Sequence, residues 1–122
     1  MNRRLATTEI GREAERLSAE WLKTKGFEII ECNWRTRFHE IDIIAKRGQN
    51  LHFVEVKYRR SHNYGWPAEF VDFRKQRRIK AAAFAYLNSK RPGYGAIQID
   101  VIGVYGLVKP YKLRYIPNIT MS

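Results

Sequence analysis

Two apolar segments joined by a short polar turn constrain the fold of this chain more than any other feature of its sequence. Residues 40–46 (EIDIIAK) and 51–58 (LHFVEVKY) are rich in the β-branched and aromatic side chains that favour strands. The four residues RGQN stand between them and supply a tight turn. This arrangement predicts an antiparallel hairpin.

Charged side chains interrupt both segments, which is uncommon in strands that are otherwise apolar. They are Glu40 and Asp42 in the first segment, and Glu55 and Lys57 in the second. Because side chains alternate between the two faces of a strand, each segment directs its charges to one face, and Ile41 and Ile43 are expected together on the other. A pairing centred on the turn places Asp42 directly opposite Glu55.

Two carboxylates that face each other on adjacent strands repel, and a divalent cation between them would remove that repulsion. Carboxylate oxygens and a backbone carbonyl suit Mg²⁺, which keeps several waters and takes one or two carboxylates from the protein. Lys57 shares the face of Glu55, so it could orient a water or offset charge on a phosphorane-like transition state. This chemistry points to phosphodiester hydrolysis. The alternative for Lys57 is a solvated strand face.

The rest of the chain predicts one domain over residues 1–122 with a single sheet flanked by helices. The element order is α-β-β-β-α-β-β, an α/β fold. Besides the hairpin, the predicted elements are a helix over 8–25 with Thr8 as N-cap and Gly26 as its stop, a strand over 27–32, a helix over 71–87, and strands over 96–105 and 111–117.

Glu15 is the one carboxylate of the first helix that stands apart from its charged arc. At about 100° per residue it falls on the flank that holds Gly11, Ser18 and Leu22. A carboxylate on a half-buried flank needs a cation or a hydrogen bond. The alternative is a residue at the edge of the helix that reaches water.

The charge of the chain predicts a polyanionic partner. Lysine and arginine number 23 against 12 aspartate and glutamate, for a formal net charge of +11 and a pI near 10.1. Nucleic acid is the leading partner, and a generally basic surface with no particular partner is the alternative. The basic residues expected to contact it are Arg59, Arg60, Arg74, Lys75, Arg77 and Arg78, with Tyr58, Tyr64 and Trp66 as aromatic neighbours that could stack on bases or simply pack.

Two further expectations concern the environment of the chain. No apolar run approaches the length of a membrane span, and no secretory signal is visible, so a cytoplasmic protein without a membrane partner is expected. Cys32 is the single cysteine, which excludes an internal disulfide and favours a role in core packing.

An aspartate followed by E-x-K on the next strand resembles the pattern of the PD-(D/E)xK nuclease superfamily, which has the restriction-endonuclease-like fold. Further segments resemble its YraN-like branch of predicted endonucleases, which is related to archaeal Holliday junction resolvases. These segments are GREAERLSAEWL, GFEIIECNWR, EIDIIA, FVEVKYR and GWPAEFVDFRKQRRI, and together they span about residues 8 to 105. His39 and Ala14 depart from the branch, which usually has glycine at both positions.

The resemblance implies a Mg²⁺- or Mn²⁺-dependent endonuclease acting on DNA, with branched or junction DNA as the preferred substrate. Asp42 and Glu55 would be metal ligands, assisted by the carbonyl of Val56. Lys57 would be the catalytic lysine, Glu15 would complete the site, and Glu40 would be a nearby acidic residue. Symmetric cutting of a four-way junction needs two active sites, so a homodimer is expected.

Two other functions fit the same residues. A non-catalytic module would use the fold and the basic surface to hold DNA or RNA without cutting it. A basic structural protein of an RNA–protein particle would not need Glu15, Asp42 and Glu55 to converge.

Overall fold

The chain folds into a mixed five-stranded sheet flanked by two helices, in a computed structural model that describes residues 3–60, 73–106 and 110–119. The strands lie in the order β1-β2-β3-β4-β5, with β3 and β4 parallel and the other neighbours antiparallel. The predicted α/β order, consistent with the restriction-endonuclease-like fold, is confirmed. The elements are α1 (Arg3–Thr24), β1 (Glu28–Arg35), β2 (Glu40–Arg47), β3 (Asn50–Arg59), α2 (Phe73–Lys90), β4 (Ile97–Tyr105) and β5 (Lys112–Ile116).

The predicted end of α1 is confirmed, whereas its predicted start is wrong. Gly26 has a φ of 87°. The N–H of Phe27 donates to the carbonyl of Leu22, and the N–H of Gly26 donates to that of Lys23, at 3.1 Å each. This pair of bonds is a Schellman cap, which needs the left-handed conformation that glycine adopts most easily. The helix begins at Arg3, so Thr8 lies inside it and is not its N-cap.

The other helix and the first strand extend beyond their predicted ends. β1 continues to Arg35, past the predicted end at residue 32. α2 continues to Lys90, past the predicted end at Leu87. Residues 71–72, where the second helix was predicted to begin, lie outside the described residues, so that start is untested. Sequence signals locate elements better than their ends, because the last turns depend on tertiary packing.

The hairpin has the predicted register. Arg47 pairs with Asn50 and Ile43 with Val54, which is the pairing centred between Gly48 and Gln49. Gly48 has a φ of 63°, the left-handed conformation that a two-residue hairpin turn needs at its first central position. The turn therefore fixes which side chains of β2 and β3 face each other.

Each helix covers one face of the sheet with its own apolar cluster. On the α2 face, sheet residues pack against α2 in a cluster that includes Trp34, Ile41, Ile44, Leu51, Phe53, Ile79, Ala82, Ala83 and Tyr86. On the α1 face, the cluster includes Ala14, Ala19, Leu22, Phe27, Ile43, Ala45, Val54, Ile102 and Val104. Neither helix of the described ranges is long and apolar enough to cross a membrane.

Ile41 and Ile43 therefore do not share a face as predicted. Ile41 packs in the cluster of the α2 face and Ile43 in that of the α1 face. The regular alternation of β2 breaks at Asp42, between them. Asn33 lies next to this point on β1, between the pairs Cys32–Ile43 and Trp34–Ile41, and it has a φ of 54°. The local irregularity of both strands explains why strict alternation fails here.

The prediction that Cys32 packs in the core is wrong, because its side chain is exposed. β1 is an edge strand whose register shifts between Ile29 and Glu31. A bulge of this kind moves the following side chains away from the face that simple alternation gives them.

A buried polar network ties the C-terminal segment to the end of the sheet near the hairpin turn. Asp100 is fully buried, and its carboxylate has four partners. Nδ1 of His52 lies 2.7 Å away, and the Tyr115 hydroxyl, the Gln98 amide and the N–H of Asn118 each donate at 2.8 Å. Burial alone would raise the pKa of Asp100, but these hydrogen bonds lower it overall.

Two glycines, Gly11 inside α1 and Gly26 just after it, test how much the C-terminal cap contributes to stability. A Cβ at Gly26 or at Gly11 would meet no atom within 4 Å, so only backbone conformation separates the two sites. Gly26→Ala should lower the free energy of unfolding by about 1 kcal/mol, since alanine is strained at a φ of 87°. Gly11→Ala, inside the helix, should raise it by roughly 0.5–1 kcal/mol. Urea denaturation measures both, and shifts of the same sign would contradict this reading.

Candidate active site

The pairing of β2 with β3 stops at Ile43 and Val54, and the two strands separate beyond that point. β2 stays paired with β1 as far as Glu40, while β3 stays paired with β4 as far as Arg59. We call this point of separation the fork. It exposes backbone groups that a continuous ladder would have paired, and such groups need other partners.

Asp42 bridges the fork. Its Oδ2 accepts a hydrogen bond of 2.8 Å from the N–H of Val56 on β3. The carboxylate thus replaces a ladder partner, and its side chain is buried as a result. The predicted approach of Asp42 to β3 is confirmed, and the fork gives it a structural cause that the sequence pattern did not contain.

Glu55 and Lys57 lie on the face of β3 that also carries Phe53, as predicted. Oε2 of Glu55 and Nζ of Lys57 are 3.1 Å apart, and their side chains are only 18% and 16% exposed. The two residues stand next to each other on the same face because they are two positions apart in a strand. Lys57 is therefore part of the cleft, and the alternative of a solvated strand face does not hold.

The carboxylates of Asp42 and Glu55 interact directly. Burial first, and then the charge of Glu55, raise the pKa of Asp42 to about 8. Burial and the second negative charge together therefore disfavour the ionised form of Asp42. A site with two adjacent carboxylates, and therefore an excess of negative charge and several oxygen donors, suits a divalent cation.

Glu15 reaches the same region from α1. Its flank is half-buried as predicted, with Ser18 and Leu22 fully buried beside it. Burial is the largest cause of its raised pKa, and the charges of Glu40 and Glu55 add to it. Oε1 of Glu15 accepts a hydrogen bond of 2.8 Å from Nδ2 of Asn33. This bond decides between the two sequence interpretations, because Glu15 has a partner in the protein.

Asn33 is a residue of the site that the sequence interpretation missed. Its positive φ turns the β1 backbone beside the fork and brings its amide to Glu15. Asparagine is one of the few residues that adopts this conformation at low cost. An asparagine within a predicted strand region, where this residue type is uncommon, was the available signal.

The acidic residues do not form a closed metal cage. Within residues 3–60, 73–106 and 110–119, no group of three His, Cys, Asp or Glu side chains is close enough to hold a metal ion. The predicted donors Asp42, Glu55 and the Val56 carbonyl remain a prediction, of the kind that Mg²⁺ completes with waters.

These residues line an open cleft with a volume of about 690 Å³. Glu15, Glu40, Asp42, Glu55 and Lys57 all contribute to its wall. Four carboxylates therefore line one surface, among them Glu15, Asp42 and Glu55, whose convergence the hypothesis of a basic structural protein did not require. Glu40 lies at its exposed edge, where Oε2 is 3.3 Å from Nη2 of Arg35.

Basic side chains surround the acidic residues in the cleft. The wall also includes Arg35, Arg37, Lys75 and Arg78. The side chain of Lys75 contacts Lys57, and this contact is the largest cause of a pKa of about 8 for Lys75. Burial alone would lower the pKa of Lys57, but Lys75, Glu55 and Asp42 raise it overall. Lys75 is thus the amine of the pair that loses its proton first.

The predicted nucleic-acid-binding residues divide into two groups. Lys75 and Arg78 line the cleft, whereas Arg59, Arg60, Arg74 and Arg77 do not. Arg60, Arg74 and Arg77 are exposed, and Arg59 is half-buried with its guanidinium donating to the carbonyl of Tyr58 at 2.9 Å.

The aromatic neighbours have different outcomes. The hydroxyl of Tyr58 donates to the carbonyl of Gly106, and its ring lies edge-on to Tyr111 with the centroids 6.2 Å apart. Tyr58 therefore packs within the protein. Tyr64 and Trp66 lie outside the described residues.

Comparison with known sequences gives a consistent family. The sequence model of the uncharacterised protein family UPF0102 matches residues 14–104. The chain is 42% identical to a UPF0102 protein of Alkaliphilus oremlandii over 112 residues, which cover 90% of this chain and 96% of the relative. It is 44% identical to one of Rhodococcus opacus over 95 residues, or 78% and 80% of the two chains. These names state a family and no activity.

Because the pKa of Asp42 is raised, replacing it with asparagine should increase the free energy of unfolding by an amount that depends on pH. In chelator, folded Asp42 holds its proton more tightly than the unfolded chain does, so this residue's contribution to the free energy of unfolding declines as pH rises from about 4 to about 8. Asp42→Asn can still accept from Val56 and never ionises. It should therefore be more stable than the parent at pH 8, by on the order of 2 kcal/mol.

Denaturation at pH 5 and pH 8 measures this difference. The advantage of Asp42→Asn should be smaller at pH 5, and Glu20→Gln, an exposed change on α1, should show no such trend. An advantage that is equal at both pH values would contradict the raised pKa.

Proposed function

The chain belongs to the UPF0102 family, and we propose that it is a Mg²⁺- or Mn²⁺-dependent endonuclease that hydrolyses phosphodiester bonds of DNA, with branched or junction DNA as its preferred substrate. The observation that carries the proposal is the Asp42–Glu55 pair beside Lys57 in an open cleft. Two interacting carboxylates and an amine on the same surface are suited to hydrolysis at phosphorus.

The donor set fits a hard divalent cation. Asp42 and Glu55 offer carboxylate oxygens, and burial together with the charge of Glu55 raises the pKa of Asp42 to about 8. The carbonyl of Val56 is the third donor in this proposal. The bound ion would neutralise charge on the phosphate and lower the pKa of a water for attack.

Lys57 and Lys75 supply positive charge beside these carboxylates. Lys57 is held by Glu55 at 3.1 Å, and its raised pKa keeps it cationic at neutral pH. A fixed cation at this point stabilises negative charge that develops on a phosphate oxygen. Lys75 contacts Lys57 from α2, so it positions that amine.

The basic wall of the cleft supports a nucleic acid as the substrate. Arg35, Arg37 and Arg78 lie on the same cleft surface as the acidic pair. Contacts of this type bind phosphates irrespective of base sequence, which agrees with a substrate selected by its structure. A homodimer would provide the two active sites that symmetric junction cutting needs.

A second candidate function is a module that binds nucleic acid without cutting it. Two observations favour it: Oδ2 of Asp42 already accepts from Val56, and no three acidic, histidine or cysteine side chains of the described ranges cluster around one point. Such a module would bind DNA or RNA in a salt-dependent manner and leave it intact.

Cleavage of labelled DNA separates the two functions. Purified protein with Mg²⁺ or Mn²⁺ should cut branched DNA faster than linear duplex. Asp42→Asn and Lys57→Ala should each lower the rate by about 10²-fold or more, the scale of losing one group that stabilises transition-state charge. Glu20→Gln and Lys90→Ala change exposed charges outside the cleft and serve as controls. Cleavage that persists in Asp42→Asn would refute the endonuclease.

Salt-dependent binding tests the basic wall without any cleavage. In chelator, Arg78→Gln should weaken binding to all DNA sequences alike and reduce the slope of log affinity against log salt by about one. Lys90→Gln, at the end of α2, should leave both values unchanged. An Arg78→Gln slope equal to that of the parent would show that this arginine contacts no phosphate.

A further inference from the structure

A tight turn over residues 36–39 joins β1 to β2 and forms part of the rim of the cleft. Oγ1 of Thr36 accepts from the N–H of Phe38 at 3.2 Å and from that of His39 at 3.1 Å. The N–H of Thr36 donates to the carbonyl of His39 at 2.8 Å. Three hydrogen bonds across four residues fix the backbone of this turn, and with it the direction in which Phe38 leaves the chain.

Phe38 is held in solvent by this turn. Its side chain is 80% exposed, more than any other large hydrophobic residue that the structure describes. Keeping a phenyl ring in water forgoes roughly the whole gain of burying it. Single exposed apolar residues are common on proteins, so an exposed ring indicates a binding role only if it lies at a site. Phe84 is 59% exposed on α2 but does not line the cleft, whereas Phe38 does.

Positive charge accompanies the ring. The guanidinium carbon of Arg37 lies 5.4 Å from the centroid of Phe38. Arg35, at the start of the same turn, also lines the cleft. An exposed aromatic face with cations beside it is the combination that binds single-stranded nucleic acid, since the ring stacks on a base and the cations contact the adjoining phosphates.

We propose that Phe38 is a stacking platform for an unpaired nucleobase, which makes the cleft selective for branched or frayed nucleic acid over continuous duplex. The inference rests on the proposed function in one respect, because it takes a nucleic acid as the ligand of the cleft. In a closed duplex both faces of every base are covered by its neighbours. Only a base at a flap, junction or frayed end offers a free face to the ring.

The position of Phe38 in the chain couples this platform to the acidic pair. Phe38 and Asp42 are four positions apart in the chain, so their Cα atoms are no more than about 14 Å apart. A nucleobase stacked on Phe38 and a phosphate near Asp42 and Glu55 would therefore belong to neighbouring nucleotides of the bound nucleic acid. The platform would thus place the branch point next to the carboxylates.

The test compares DNA binding to a duplex and to the same duplex with an unpaired flap, in chelator so that cleavage plays no part. Fluorescence anisotropy gives the affinities, and 2-aminopurine in the flap reports stacking. Phe38→Ala should weaken flap binding about tenfold, the scale of losing one stacked base, and leave duplex binding within about twofold. Phe38→Trp should retain the preference, and Phe84→Ala is the matched control.

The outcomes separate this inference from the endonuclease proposal. A Phe38→Ala variant that binds flap DNA like the parent, or that loses duplex and flap binding equally, overturns the platform, whether or not the parent cuts DNA. If Phe38→Ala weakens flap binding selectively but the parent shows no metal-dependent cleavage, the stacking role of Phe38 is supported and the protein is a binding module that does not cut DNA. A parent protein that binds neither DNA overturns both.

Discussion

The hydrogen bond from the Val56 N–H to Asp42 connects the architecture of this chain to its chemistry. Once β2 turns away with β1 and β3 turns away with β4, the sheet must satisfy backbone groups in its middle. A carboxylate meets that need, and the fork then opens the cleft in which the carboxylate lies. Glu15 of α1 lines the same cleft, where the charge of Glu55 contributes to its raised pKa, so the cleft gathers carboxylates from α1, β2 and β3.

The carboxylates in the cleft repel one another, whereas the basic residues around them attract a polyanion. Burial and the charge of Glu55 raise the pKa of Asp42, and the contact with Lys57 lowers that of Lys75, so each pair contains one group with a pKa of about 8. Strongly shifted pKa values cluster at binding and catalytic sites, because the charge interactions that shift them destabilise a protein and are retained where function requires them. The excess of arginine and lysine over the chain makes the approach of a polyanion favourable despite the acidic centre.

Local signals were enough for much of the fold and for the placement of Asp42, Glu55 and Lys57 near one another. Gly48 set the register of the hairpin, and Gly26 the end of α1, because each needs a left-handed backbone at a defined place. The remainder depended on tertiary structure. Neither the break in alternation that separates Ile41 from Ile43, nor the positive φ of Asn33, nor the exposure of Cys32 and Phe38 follows from a periodic pattern. Each lies in β1, in β2 or in the turn between them, where the bulge of β1 and the positive φ of Asn33 interrupt regular strand geometry. Such interruptions depend on how the two strands pair and are not encoded in either strand alone.

Asp100 is the register partner of Val54, so its network lies level with the fork, and there four donors satisfy one buried carboxylate. His52 of the network contacts Phe27 in the cluster of the α1 face, whereas Glu55 and Lys57 share the face of Phe53, which packs in the cluster of the α2 face. The stabilising network and the candidate site therefore use opposite faces of the same sheet. This division loosens the usual conflict between a stable scaffold and an unfavourable site. Descendants of such a chain can exchange cleft residues over evolutionary time, gaining or losing an activity, while the buried network on the other face keeps the fold stable.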